Sequence, residues 1–447
     1  MAKKLFGTDG IRGVPGQYPL DNSTLYWAGR SLGEYLRAHT AQPRVLIGMD
    51  TRESGPRLAR RIAEGLAAAG TRPVFAGVLT TPGVACLVHE QMFSAGVVIS
   101  ASHNPFTDNG VKLIAHTGMK FPDAIEEALE QHILNRTDSA PAPLPTELPV
   151  APGLEQSYLG FLQRRAVAGA KLAGMRIVLD CANGAASRLG PALFRELGAD
   201  AIAIHCQPDG RNINAGCGSL HPESLQKKVV EAGAAFGVAF DGDADRAIFV
   251  SSSGRIVDGD GVLLVAARYL KETGGLKGAA IVGTTMANLG LERALRAEGL
   301  CLTRVPVGDR YVLEEMLRSG ANLGGEQSGH IIFLDDATTG DGLLTAVKIA
   351  SLVALRGPLD ELVRGLTVFP QTIINVPVRE KPALDSLPAV AAALADAERS
   401  LGSEGRVVLR YSGTEPLARV MVEARRNEDV KRWSEAIAAA IQSSIGA

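Results

Sequence analysis

Three carboxylates alternate over a short segment near the middle of the chain, directly after an apolar run. They are Asp241, Asp243 and Asp245, and Arg246 follows them. Like charges at this spacing repel one another and destabilise a fold unless a cation lies among them. Ligands that are all oxygen favour a hard cation, Mg²⁺ or Ca²⁺. A solvated acidic turn is the alternative interpretation.

This acidic loop does not match the calcium-binding EF-hand. An EF-hand loop needs glycine at its sixth position and glutamate at its twelfth. This chain has Arg246 and Ser252 there, and its flanking segments resemble strands rather than helices. We therefore expect one Mg²⁺ per chain, held by the three carboxylates and completed by a phosphate group of the substrate or of the protein.

A serine follows another apolar run, in the segment Ile99–Pro105. Ser102 at the end of a buried strand could be a nucleophile or a carrier of phosphate. No G-x-S-x-G motif surrounds it, and His103 beside it is weak evidence for a dyad, since neighbours in an extended chain point apart. An N-cap or turn role stays open. A phosphorylated Ser102 would supply the anion that the acidic loop needs.

Hydroxyls and arginines surround a turn near the carboxyl-terminal end. The residues are Arg410, Ser412, Gly413, Thr414 and Arg419. Backbone N–H groups of such a turn form an anion-binding nest, and arginine binds phosphate with two parallel hydrogen bonds. The segment lacks the Walker pattern of nucleotide-binding loops. It predicts a docking site for a substrate phosphate, with an ordinary hairpin turn as the alternative.

Further polar loops are rich in glycine. The segment Gly324–His330 collects a carboxylate, an amide, a hydroxyl and an imidazole, which suits recognition of a sugar. Arg12, in the segment Phe6–Gly13, and Lys112 are candidate positive groups. Neither is persuasive by itself, because either could lie on an ordinary surface.

The elements that must position these loops follow a repeated pattern. Short β-branched runs at 44–50, 175–180 and 279–284 are typical of strands buried on both faces, and helix-like segments such as 57–70 and 191–198 follow them. Each run is followed by a second strand that ends in one of the polar loops. Open α/β sheets bind ligands at such strand ends.

We therefore predict three similar α/β domains with mixed, largely parallel sheets and a smaller C-terminal α+β domain around a central cleft. The predicted domains are 1–152 with the Ser102 loop, 153–253 with the acidic loop, 254–368 with the sugar loop, and 369–447 with the phosphate loop. A proline-rich linker at 137–152 should be extended and exposed.

Composition excludes several classes of protein. The 447 residues include 46 Lys+Arg against 48 Asp+Glu, and aromatic residues are 5%. That balance argues against binding to nucleic acid or to an anionic membrane. Five scattered cysteines without a C-x-x-C pair argue against a disulfide framework or a zinc site. We see no signal peptide or membrane span and expect a cytoplasmic protein.

Taken together, these loops resemble the α-D-phosphohexomutase family nearly from end to end. The matching segments follow the family's order: Phe6–Gly13, Ile99–Lys112, Asn212–Glu223, Asp241–Arg246, Val307–Val312, Gly325–His330 and Arg410–Arg419. Gln327 is typical of the members that act on glucosamine phosphates, whereas the branch for glucose and mannose phosphates usually has methionine there.

The resemblance implies the interconversion of glucosamine 6-phosphate and glucosamine 1-phosphate, on the bacterial route to UDP-N-acetylglucosamine and peptidoglycan. It implies a phosphoryl group on Ser102, a 1,6-bisphosphate intermediate, and Mg²⁺ bound by Ser102 and the three aspartates. Glu326, Ser328 and His330 are the expected sugar-binding residues. Arg12, Lys112 and Arg246 would supply positive charge, and His103, Lys112 and His330 are candidates for proton transfer.

Two alternatives stay open: a mutase for glucose or mannose phosphates, and a Mg²⁺-dependent sugar phosphatase. A non-enzymatic sensor of sugar phosphates is the least favoured. The expected partner is a small sugar phosphate. A homodimer is left open, and so is the source of the first phosphate on Ser102, which could be a kinase, self-phosphorylation or a hexose 1,6-bisphosphate activator.

Overall fold

The computed structural model describes residues 5–7, 9–136, 139–144, 147–278, 280–412 and 415–447. The chain divides into two compact units, which are treated separately below. The first unit comprises residues 1–284 and 305–364, and the second comprises 285–304 and 365–447.

The first sheet carries the Ser102 loop. Its strands are β1 (Ile11–Gly13), β2 (Arg44–Met49), β3 (Arg72–Val78), β4 (Ala95–Ile99) and β5 (Asn109–Ala115), and its helices are α1 (Asn22–His39), α2 (Gly55–Ala68), α3 (Thr81–Glu90) and α4 (Asp123–Leu134). The strand order is β1-β5-β4-β2-β3, parallel between β2 and its two neighbours and antiparallel elsewhere. Every residue of β4 and β5 is buried. Both strands are therefore covered on their two faces, as the continuous apolar run of β4 predicts for that strand.

The second sheet carries the acidic loop. Its elements are α5 (Leu154–Gln163), β6 (Arg176–Asp180), α6 (Ala186–Glu196), β7 (Asp200–Ile204), α7 (Glu223–Ala232), β8 (Phe236–Phe240), β9 (Ala247–Ser251) and β10 (Ile256–Val257). The order β10-β9-β8-β6-β7 repeats the mixed pattern of the first sheet. Strands β6, β7 and β8 are parallel, so their carboxyl ends meet at one edge.

The next segment carries the sugar loop. Its elements are α8 (Gly259–Glu272), β11 (Ala280–Thr284), α9 (Leu289–Ala297), β12 (Cys301–Val305), α10 (Asp309–Ser319), β13 (Leu323–Gly325), β14 (Ile331–Phe333), α11 (Gly342–Arg356) and α12 (Leu359–Leu362). In the first unit, β13 pairs in parallel with β11 and antiparallel with β14. Helix α9 and most of β12 belong to the second unit.

The carboxyl-terminal segment is an antiparallel sheet covered by helices. Its elements are β15 (Gln371–Pro377), α13 (Pro388–Leu401), β16 (Gly405–Tyr411), β17 (Leu417–Ala424) and α14 (Asn427–Ile445), and the strand order is β15-β17-β16. The apolar face of α14 packs into a core with the sheet, through Trp433, Ile437 and Ile441. The spacing of these side chains is that of an amphipathic helix.

The predicted fold class is confirmed: three α/β segments with mixed sheets precede a smaller antiparallel α+β segment. The exact domain bounds given above stay a prediction. Among the residues that the structure describes, no helix combines the length and the apolar character needed to cross a membrane.

Candidate active site

Ser102 lies three residues beyond the buried strand β4, and its side chain is held against the acidic loop. Its hydroxyl donates a hydrogen bond to Oδ2 of Asp241 at 2.6 Å, and Nδ1 of His103 lies 3.3 Å from Oγ of Ser102. The backbone of Ser102 has φ 51°, in the left-handed region that serine seldom adopts. Its N–H donates to Oγ of Ser100 at 2.9 Å. The loop thus holds Ser102 in a strained but fixed position.

The three aspartates form one buried cluster at the end of β8. A carboxylate oxygen from each of Asp241, Asp243 and Asp245 lies within 4.8 Å of the others. One oxygen of Asp243 and one of Asp245 are buried without a hydrogen-bond partner among the described residues. Buried carboxylate oxygens without donors are costly unless a cation binds them. The cluster could therefore hold a metal ion, and its all-oxygen donors fit Mg²⁺.

The electrostatics of the cluster show the same demand for a cation. Burial raises the pKa of Asp241 well above its ordinary value, and the charges of Asp245 and Asp243 raise it further. Burial also acts to raise the pKa of Asp245, but a hydrogen bond to His330 and the charge of Lys112 outweigh it and lower that pKa. The carboxylates compete for too little positive charge, which a divalent ion would supply.

Lys112 projects from β5 into this cluster. Its Nζ lies 2.9 Å from Oδ2 of Asp243 and 3.1 Å from Oδ2 of Asp9. Burial acts to lower the pKa of Lys112, but the charges of Asp243 and Asp9 outweigh it and raise that pKa well above its ordinary value. Lys112 is therefore a fixed cation rather than a base. Arg12 is tied to the same Asp9 at 2.6 Å.

His103 and Arg246 lie on the two loops that meet at Ser102. Burial lowers the pKa of His103 to about 4, and the positive charges of Arg246 and Arg12 contribute. The imidazole is thus neutral at neutral pH. The backbone N–H of Arg246 donates to Oδ1 of Asp241 at 3.2 Å, which closes the acidic loop.

The predicted sugar loop is the tight turn between β13 and β14. Oε1 of Glu326 accepts from the N–H of Gly308 at 3.1 Å, and Ser328 donates to its other oxygen at 3.4 Å. Gln327 hydrogen-bonds to Asp258, the residue that caps α8. The residue that marks the glucosamine branch therefore braces the loop in this structure.

His330 is buried and belongs to a charged network rather than to an exposed surface. Gly340 donates its N–H to Nε2 at 3.1 Å, so the ring proton lies on Nδ1, which faces Oδ2 of Asp245 at 3.6 Å. Nε2 also lies 4.0 Å from Asp309. Nζ of Lys120 lies 2.8 Å from Oδ2 of Asp309 and 2.7 Å from Oδ1 of Asp9, and so it links the two carboxylates. His330 thus contacts a candidate metal ligand, and its predicted contact with sugar stays untested.

Arg52 holds the Ser102 loop from beneath and was not singled out from the sequence. The guanidinium is fully buried and pairs with Asp50 at 2.8 Å. Its remaining N–H groups donate to backbone carbonyls of the loop, those of Ser102, Asn104, Pro105 and Asp108. Its position in a polar segment directly after β2 could have indicated a functional residue, because α/β sheets bind their ligands at such strand ends.

Two further contacts join distant segments to this site. Asn214 donates its amide to the carbonyl of Ser102 at 2.9 Å, and Thr81 donates its hydroxyl to Oδ2 of Asp243 at 2.6 Å. Asn214 lies inside Asn212–Glu223, one of the segments that carry the family resemblance, and this position could have indicated its role. Thr81 shows no signal, because only the fold brings it to the aspartates.

The predicted phosphate loop lies in the second unit, between β16 and β17. Arg410 and Arg419 are direct cross-strand partners in that hairpin. Burial and the charge of Arg419 lower the pKa of Arg410. Opposed like charges are destabilising, so the pair favours a bound anion. Lys381 donates to the carbonyl of Ser412 at 2.7 Å. Gly413 and Thr414 lie outside the described residues.

The structure thus gathers two groups of the predicted site residues. Within the first unit it brings together Ser102, the acidic loop, Lys112, His103, Arg12, Arg246 and His330. Within the second unit it gathers the arginines and Ser412.

The family models for phosphoglucomutase/phosphomannomutase match almost the whole chain. Domain I matches residues 3–140, domain II 156–254, domain III 258–369, and the C-terminal domain 373–440. A phosphoglucosamine mutase from Solibacter usitatus is 54% identical over 447 residues, covering 100% of both chains. The chain belongs to the phosphoglucosamine mutase branch of this family. It is an isomerase.

Solved structures of the phosphoglucomutase/phosphomannomutase family share this fold. A family protein from Burkholderia thailandensis superposes with a TM-score of 0.78 at 25% identity, covering 98% of this chain and 97% of its own. The N-acetylphosphoglucosamine mutase of Aspergillus fumigatus, solved in complex with GlcNAc-6P and magnesium, has a TM-score of 0.65 at 18% identity and covers 99% and 96%.

Proposed function

We propose that the chain interconverts glucosamine 6-phosphate and glucosamine 1-phosphate through a phosphorylated Ser102 and a bound 1,6-bisphosphate. The observation that carries this proposal is the 2.6 Å hydrogen bond from Ser102 to Asp241, inside a buried cluster of carboxylates. A phosphoryl group on Ser102 would add negative charge to that cluster. Such an arrangement is stable only with a divalent cation, and phosphoryl transfer uses one.

We assign Mg²⁺ to Asp241, Asp243, Asp245 and an oxygen of phosphorylated Ser102, where it would draw charge from the transferring phosphoryl group. Lys112 supports this arrangement because it is a buried cation bonded to Asp243. Arg246 and Arg12 would add positive charge around the same group. Fixed charges in a buried site cost little reorganisation during the reaction.

The substrate would be held at its phosphate and at its hydroxyl groups. We assign the phosphate to the phosphate loop, through Arg410, Ser412, Arg419 and the undescribed Gly413 and Thr414. The opposed arginines support this assignment. Glu326 and Ser328 would accept and donate hydrogen bonds to sugar hydroxyls, and we assign His330 to the same loop.

In the first transfer, the bond between phosphorus and Oγ of Ser102 breaks and a bond to the anomeric oxygen of the sugar forms. The proton of that sugar hydroxyl must leave. We assign that proton to His103, whose neutral ring places Nδ1 3.3 Å from Oγ of Ser102, so the same nitrogen can pass the proton to Oγ as the phosphoryl group leaves it. In the second transfer, the bound bisphosphate turns over, the bond between phosphorus and its 6-oxygen breaks, and a bond to Oγ of Ser102 forms. The proton of Oγ passes back to the 6-oxygen, and glucosamine 1-phosphate is left.

The test is ³¹P NMR of the purified chain with Mg²⁺, a trace of hexose 1,6-bisphosphate, and glucosamine, glucose or mannose 6-phosphate in parallel tubes. Fastest growth of glucosamine 1-phosphate is expected. Ser102→Ala should abolish it, whereas Ser94→Ala, at the residue before β4, should not. Faster turnover of glucose or mannose phosphate would refute the sugar assignment, and release of inorganic phosphate alone would indicate a phosphatase.

A further inference from the structure

A second cluster of metal-binding side chains lies in the first unit, apart from the three aspartates. Asp180 is the last residue of β6, His205 follows β7, and Cys217 lies in the loop before α7. One donor atom from each lies within 4.8 Å of the other two. Asp180 and Cys217 are almost fully buried. The sequence predicted no zinc site, because these residues are far apart in the chain and form no spaced motif.

The contact between Asp180 and His205 is close but poorly directed. Nδ1 of His205 lies 3.1 Å from Oδ2 of Asp180. Nδ1 of His205 is nevertheless buried without a hydrogen-bond partner among the described residues, because the geometry of this contact is not that of a hydrogen bond. The backbone of His205 has φ 45°, in the left-handed region, so the loop holds the ring there under strain. A nitrogen and a carboxylate brought together without a good hydrogen bond are what a bridging cation requires.

Asp180 also lacks a full countercharge. Its oxygens accept backbone N–H bonds from Ala182 at 2.9 Å and Gly218 at 3.0 Å. Within the described part of the chain, the imidazole of His205 is the one basic group paired with it. By contrast, the buried Asp50 pairs with a guanidinium. A bound metal ion would stabilise a buried carboxylate in this position.

We propose that Asp180, His205 and Cys217 bind a divalent transition metal ion such as Zn²⁺. Oxygen, nitrogen and sulfur donors suit zinc, and they distinguish this site from the all-oxygen cluster. Zinc–ligand bonds of about 2.0–2.3 Å place neighbouring donors roughly 3.5 Å apart, so no pair of donors needs to close by more than about 1.3 Å. His205 is partly exposed, and solvent can fill the fourth position.

The ion would fix the loop that supports Ser102. Asn214, three residues before Cys217, donates to the carbonyls of Ser102 and Asn104. A cysteine binds a metal ion as the thiolate, so the ion must displace the thiol proton of Cys217. Binding should therefore release a proton and tighten as pH rises.

Cobalt substitution tests the site by a signal that the aspartate cluster cannot give. Chelator-treated full-length protein, with excess Mg²⁺ present, is titrated with Co²⁺ and followed by near-ultraviolet absorption. Thiolate bound to cobalt gives a charge-transfer band, and Zn²⁺ should displace it. We expect the band in wild type and in the control Cys301→Ser, a cysteine that is exposed elsewhere.

The band should disappear in Cys217→Ser. In His205→Gln, the affinity for Co²⁺ should fall by more than roughly 100-fold. A residue that only hydrogen-bonds to a metal ligand typically changes metal affinity by roughly 10–100-fold, so the larger loss marks a direct ligand. Absence of the band in wild type would overturn the proposal, as would its survival in Cys217→Ser. Loss of the band in Cys206→Ser would overturn the ligand set. Because the signal does not depend on turnover, these results are independent of the proposed function.

Discussion

Replacing Arg52 by lysine should loosen the loop that holds Ser102. The guanidinium makes one ion pair to Asp50 and bonds four loop carbonyls. Lysine keeps the charge and can still reach Asp50, but it has three donors and no planar fork. It therefore cannot reproduce all four carbonyl bonds.

The magnitude follows from how many carbonyls lose a donor. Those of Ser102 and Asn104 keep the amide of Asn214, and that of Pro105 keeps the N–H of Asp108. If two bonds to the guanidinium are lost at about 1–1.5 kcal/mol each, the loop is destabilised by about 2–3 kcal/mol. That corresponds to roughly 30- to 150-fold faster amide exchange from the open state.

Hydrogen exchange by mass spectrometry on peptides covering residues 100–110 measures this opening directly. Steady-state kinetics should show a lower kcat with little change in KM, because Ser102 is displaced while the phosphate loop is intact. Arg57→Lys is the matched control, because this partly exposed arginine on α2 donates to Asn22 and not to the Ser102 loop; it should leave both measurements unchanged. Unchanged exchange and unchanged kcat in Arg52→Lys would refute the reasoning.

Three further predictions concern charge. Asp243→Asn should lower kcat at least about 100-fold and weaken Mg²⁺, because it removes a proposed ligand; a Mg²⁺ titration of activity with unchanged half-saturation would contradict this. Arg410→Gln should stabilise the phosphate-free protein by up to about 1 kcal/mol, because it removes a pair of like charges, and thermal melting measures this effect. The same substitution should raise KM for the sugar phosphate, which steady-state kinetics measures. Burial raises the pKa of Asp341 to about 6. Its protonated form stabilises the fold below about pH 4, and that stability is lost as pH rises through about 6. The free energy of unfolding of the wild type should therefore fall by up to about 3 kcal/mol relative to that of Asp341→Asn over that pH range. Free energies of unfolding that change with pH in parallel in the two proteins would refute this prediction.

The strands were predictable because strands buried on both faces have short, continuous runs of apolar and β-branched residues. The predicted run at 44–50 became β2 (Arg44–Met49), and the run at 175–180 became β6 (Arg176–Asp180). Helix α6 was placed less well. Proline is favoured in the first helical turn, so the sequence predicted a start at Pro191. The helix begins at Ala186, because Leu189 and Leu193 share its buried face and outweigh the missing N–H.

The loops of the site were predictable for the same reason, since each carries its chemistry within a few residues. Ser102 and the three aspartates belong to short segments at strand ends. The contacts that hold them were not predictable. Arg52, Thr81 and Asn214 reach the loops from segments 50 or more residues away. Their side chains are ordinary in sequence and become informative only when the sheets bring them together.

The partly buried chain of charges from Asp9 through Lys120 and Asp309 to His330 has a consequence for the assembly of hybrid proteins. Its members come from the amino-terminal loop, the end of the first sheet, and the segment around α10 and β14. A chimera that took residues 305–364 from a relative without an acid at position 309 would leave Lys120 short of a partner. Recombination at that boundary should succeed only when the charges on both sides are exchanged together.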